Sequence, residues 1–155
     1  MDLEAAKFIA QAAISVGGAF LGAYLAARRF RSEKWWERKA TAYSELVVAL
    51  HEMKWPSSEH LDAEIVGRTV SDSDGEEQWK QFKAARRNVW RIADASSFLV
   101  SPVVLNAVQK MESALGKSTS AESWFERLDV ENSAVQECLD TVKALGRAEL
   151  GIKHS

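Results

Sequence analysis

Cysteine, proline and histidine are scarce in this 155-residue chain, which has one, two and three of them respectively. A lone Cys138 excludes an internal disulfide and every paired-cysteine metal motif, and it fits a reducing compartment. His51, His60 and His154 lack metal-ligand spacing. His51-Glu52 and Glu59-His60 flank Pro56, but not at the spacing that would bring them together on one helix face. A phosphate loop, a nucleophile elbow and an HExxH zinc motif are all absent. The pattern therefore calls for no cofactor and no metal, and an enzyme is not expected. No stretch alternates with a period of two for long enough to make a strand. A net charge of -2 gives the whole chain no pull toward nucleic acid, which is not an expected partner.

What is present is unevenly placed. From residue 8 to residue 27 no charge occurs, and at about 1.5 Å per residue this run spans about 30 Å, the thickness of a bilayer core. It then meets Arg28, Arg29, Arg31, Lys34, Arg38 and Lys39 without an intervening turn residue. A signal peptide carries its basic residues ahead of the apolar run, whereas here they follow it. The expectation is a single-pass anchor over residues 1–29. Its N-terminus lies outside, and residues 30–155 form a cytoplasmic domain at the bacterial inner membrane. Arg28, Arg29, Arg31 and Lys34 would meet lipid headgroups, with Tyr24, Phe30 and Trp35 nearby. At about 100° per residue, Gln11, Ser15, Gly18, Gly22 and Ala26 share one wedge of the anchor, opposite Ile9, Val16, Phe20 and Tyr24. Small residues at Gly18-xxx-Gly22 let helices approach closely in lipid, so this wedge is the expected oligomerisation or pore-lining face.

After the anchor, Trp35, Trp36, Ala40, Tyr43, Leu46, Val47, Leu50 and Met53 recur at three- and four-residue spacing. A helix continuous from the anchor to about residue 54 is expected, ending ahead of Pro56. Residues 56–75 read as a mobile polar loop with at most one helical turn around Leu61–Val66, followed by a second helix over 76–99. Ser101 should cap a third helix with Pro102 at its first position, running to the Leu115-Gly116 stop. Ser118 or Ser120 should open a short helix carrying Trp124, Phe125 and Leu128. The last helix, over 132–150, should end at Gly151. The fold class is all-α, a cytoplasmic bundle of four to five helices. Trp79, Trp90 and Trp124 are expected in the core or an interface, and one of Trp35 and Trp36 in the bundle.

The segments "RFRSEKWWERKATAYSELVVALHEMK", "ASSFLVSPVVL" and "CLDTVKALGRAELGI" resemble a widespread group of uncharacterised bacterial single-pass membrane proteins, strongest in the EKWWERKAxAY signature. In architecture the chain is also similar to the membrane accessory proteins of type VI-B CRISPR systems. That resemblance implies a helical domain behind an N-terminal anchor, assembly into a membrane pore, and a role in antiviral defence. Arg147 and His154 stand at an Arg-x6-His spacing that resembles the element of HEPN-type helical ribonucleases, in which such a pair converges on the RNA backbone from two subunits. Gly151 between them, and the lack of Asn or Asp after Arg147, depart from that pattern.

Three functions follow as expectations. The first is a self-assembling inner-membrane protein acting as an oligomeric effector or pore, with membrane lipid and further copies of itself as partners. The second is an anchored adaptor whose bundle binds a cytoplasmic protein through the 56–75 loop. The third is a membrane-tethered ribonuclease using Arg147 and His154 as catalytic residues.

Overall fold

A computed structural model describes the backbone of residues 3–69 and 71–152, and the side chains of residues 22–69 and 71–152. Four helices account for nearly all of it: α1 (Leu3–Val66), α2 (Asp72–Ala95), α3 (Pro102–Ser118) and α4 (Trp124–Glu149). The all-α expectation is met. The chain divides into two compact units, residues 1–37 and residues 38–155. Among the described residues no helix is long and apolar enough to cross a membrane. The anchor expected over residues 8–27 falls mostly on side chains outside the described residues.

Within the second unit, residues 38–66 of α1 pack with α2, α3 and α4. Lys39 faces Glu149 at 2.6 Å, Gly146 lies under the Tyr43 ring, and Ser58 donates to Asn132 at 2.8 Å, so α1 and α4 run antiparallel. Lys110 pairs with Glu137 and Ser118 with Glu131, which sets α3 antiparallel to α4. The core is what the heptad-like spacing predicts. Leu46, Leu50 and Met53 from α1 meet Val89 from α2, Val104, Val108 and Met111 from α3, and Val135, Leu139 and Val142 from α4, all fully buried.

Helix boundaries differ from expectation at four places. First, α1 does not end before Pro56; it runs through it to Val66, so residues 56–66 are helix and not loop. An interior proline costs about 3 kcal/mol. Here Pro56 itself is buried, and Leu61 and Ala63 beyond it are buried too, which offsets that cost. The Ser57 hydroxyl also donates to the Lys54 carbonyl at 2.9 Å. The helix stops only at Gly67, whose φ of 68° supplies the left-handed cap, with Arg68 N–H bonded to Ala63 O at 2.8 Å.

Second, α2 starts four residues earlier than expected and ends earlier too. The Ser71 hydroxyl accepts from Asp74 N–H at its start, and the Ser96 hydroxyl donates to Ile92 O at its end. Third, Gly116 is interior to α3, which continues to Ser118. Fourth, the two C-terminal helices are one, capped by Ser123 rather than Ser118 or Ser120. The Ser101 cap with Pro102 in the first turn, and the stop at Gly151, stand as expected.

Candidate functional site

In the first unit, every described residue from Gly22 to Glu37 is exposed on a single helix. Tyr24, Leu25, Phe30, Trp35 and Trp36 are each at least half exposed. Neither Trp35 nor Trp36 is buried, so neither is a core residue. Of the proposed wedge, Gly22 and Ala26 are exposed, and a Cβ added to Gly22 would meet nothing within 4 Å. Gln11, Ser15 and Gly18 lie outside the described residues. Among the cations expected at lipid headgroups, Arg29 pairs with Glu33 at 2.9 Å and Lys34 with Glu37 at 2.7 Å, each about one turn along the helix. Arg31 reaches back to the Ala27 carbonyl, and Arg28 is exposed.

Two large recesses on the second unit are lined by described residues. One, of about 890 Å³, lies between α1 and α2. His51, Glu52 and Trp55 form its α1 wall; Ala84 and Ala85, with Arg87 and Arg91, form the α2 side. Trp55 is 56% exposed although its neighbours Met53 and Pro56 are buried. Burial, then Lys143 and Lys54 nearby, push the His51 imidazole below its ordinary 6.5. The other recess, of about 1,170 Å³, is bordered by His60, Trp79, Trp124 and Arg127. It carries both signs of charge, with Lys80 and Lys83 against Asp72 and Glu76.

Aromatic stacking organises that second recess. The His60 ring stacks on Trp79 at 5.3 Å, and Trp124 meets Trp79 edge-on at 5.7 Å. Arg127 covers Trp124 at 5.6 Å while also bonding Glu131 at 2.9 Å. Burial holds the His60 pKa below 6.5 against the opposing pull of Glu59. Its Nε2 is buried without a hydrogen-bond partner among the described residues. Trp79 is half-buried as expected, whereas Trp90 and Trp124 are at least 40% exposed and are not core residues.

The proposed catalytic pair is not assembled within the described residues. Arg147 is exposed in the last turn of α4, and His154 lies outside them. Among the described residues no three His, Cys, Asp or Glu side chains gather in a way that could hold a metal ion. No protein-family model, curated protein or solved structure matches the chain.

The groove at Trp55 is the feature that sequence reading missed. It depends on residues 51–55 of α1 lying beside residues 81–91 of α2, which no single stretch of sequence encodes. The serine caps, by contrast, had a readable signal. Ser71-x-x-Asp74 and Ser123-x-x-Glu126 both have a capping-box pattern, and in each the serine accepts from the third residue's N–H.

Proposed function

We propose that this chain is a single-pass bacterial inner-membrane protein that self-assembles through its N-terminal helix and acts without catalysis, as an oligomeric effector or pore in phage defence. The observation that supports it is the helix over residues 22–37, exposed throughout yet rich in large apolar side chains. A lone helix draws most of its stability from packing an apolar face. In water these five side chains would stay at least half exposed. Lipid and neighbouring helices would cover them, and the mixture of Tyr, Phe and Trp with Arg and Lys suits a headgroup layer. The phage-defence setting rests on the architectural resemblance to the type VI-B accessory proteins.

The test is extraction of the full chain from bacterial membranes, first with alkaline carbonate and then with mild detergent, followed by its native mass. Resistance to carbonate and a discrete large assembly in detergent are expected, with Gly18→Leu/Gly22→Leu lowering the mass. Release by carbonate overturns the membrane assignment, and a monomer or dimer in detergent overturns the pore. The ribonuclease reading gains no support from the placement of Arg147.

A further inference from the structure

We propose that the groove between α1 and α2 is a docking site for an acidic amphipathic helix of another protein. The proposal stands on the bundle alone and does not depend on the membrane reading. The groove also differs from the 56–75 segment, which is mostly helix.

Three features select this occupant. The first is shape. The α2 side extends from Gln81 to Arg91, about 15 Å of helix, or close to three turns. Ala84 and Ala85 are too small to fill the space between the helices. A flat bilayer surface would not reach a recessed floor of this kind, whereas a helix laid along the groove would.

The second is the anchor. Trp55 presents its indole to the opening, and its backbone is fixed by a buried residue on either side, Pro56 and, two positions back, Met53. A rigid, exposed tryptophan beside a recess is the residue type that most often carries binding energy at interfaces.

The third is charge. Arg87 and Arg91 line the groove, with Arg91 positioned by a bond to the Asn88 side chain at 2.7 Å. Glu52 is the one acidic residue in the lining. The other recess sets four cations against three carboxylates, a weaker bias than the groove's two arginines against Glu52. A basic rim around an apolar floor is complementary to a helix with apolar residues at i, i+3 or i+4 and i+7, bordered by Asp and Glu.

The experiment uses the full-length chain in detergent as the target for a phage-displayed library of helix-length peptides, with anisotropy of labelled winners as the binding measurement. Enriched peptides are expected to pair acidic residues with apolar ones at helical spacing. Trp55→Ala should weaken them about tenfold or more. Arg87→Glu/Arg91→Glu should abolish their binding, and a version of the winner with Lys in place of its acids should bind that variant. The altered side chains are exposed, so far-UV circular dichroism should be unchanged. Arg87→Gln/Arg91→Gln provides a milder pair should charge reversal disturb the fold. Absence of acidic enrichment, or winners that bind the Trp55 and arginine variants unchanged, would overturn the proposal. A fall in the native mass of these variants would overturn it as well, since the groove would then be a contact between copies.

Discussion

Gly146 sits where α4 crosses α1, and replacing it with alanine sets two effects of known sign against each other. A helical glycine replaced by alanine ordinarily gains about 1 kcal/mol. At this position the new Cβ would stand 3.0 Å from Tyr43 Cδ1 and 3.2 Å from Cγ, closer than carbon atoms normally pack. The ring has little room to yield, because Tyr43 is 3% exposed and its phenol oxygen is buried too. Burial first, and the Glu149 carboxylate second, push that phenol up to about 12. Overpacking of this kind costs about 1–3 kcal/mol. The cost should exceed the helix gain, leaving a loss on the order of 1 kcal/mol and a fall in Tm of roughly 3 °C. Gly116 is the internal control, since it lies within α3 and a Cβ there meets nothing within 4 Å. Gly116→Ala should raise Tm by roughly 3 °C in the same thermal melt followed by far-UV circular dichroism. In a Tyr43→Ala background Gly146→Ala should lose its penalty. If Gly146→Ala stabilises the wild-type chain as Gly116→Ala does, the reasoning about the Tyr43 contact is refuted.

Two further outcomes concern titratable groups. His60 and His51 both have folded pKa values below 6.5, so the unfolded chain binds their protons more tightly. Their contribution is intact above about pH 6.5 and is lost as pH falls through the folded values; urea midpoints should drop across that window, and less steeply in His60→Gln. A flat profile in the parent chain would show that neither ring is desolvated. Cys138 is buried, and burial first, with Glu137 and Glu112 behind it, pushes its thiol up to about 12. A thiol reagent at about pH 8 should therefore label it only after denaturant is added, and rapid labelling of the folded chain would place it at the surface.

The parts of the fold that were legible in the sequence are those fixed by local signals. Ser101-Pro102 is a cap followed by a residue pre-set for the first turn, and Gly151 takes a positive φ that other residues resist. The apolar stripe of Leu46, Leu50 and Met53 is legible because burial imposes a period on the chain. Pro56 and Gly116 misled for one shared reason. Each is a helix breaker by propensity, but tertiary packing overrides propensity when the helix continuing beyond it is anchored in a core, as Leu61, Ala63 and Ser118 are. The last helix was expected to begin only at residue 132, yet Leu128 and Glu131 before it are buried, with Glu131 bonded to Arg127 and Ser118, and the helix gains more by starting earlier. The candidate groove was not legible at all. It exists only because residues 51–55 and 81–91 lie side by side, and no single-segment pattern encodes that pairing.

The antiparallel pairing of α1 with α4 also bears on how the protein is made. The stripe Leu46–Leu50–Met53 leaves the ribosome roughly 90 residues ahead of Leu139, the side chain that closes over it. At about 5–20 residues per second, that apolar face waits on the order of 5–20 s for its partner. During this interval α2 and α3 can cover only part of it. The nascent chain is therefore most open to misassociation just before α4 emerges, and the α3–α4 hairpin, whose contacts are close in sequence, is the step that ends the exposure.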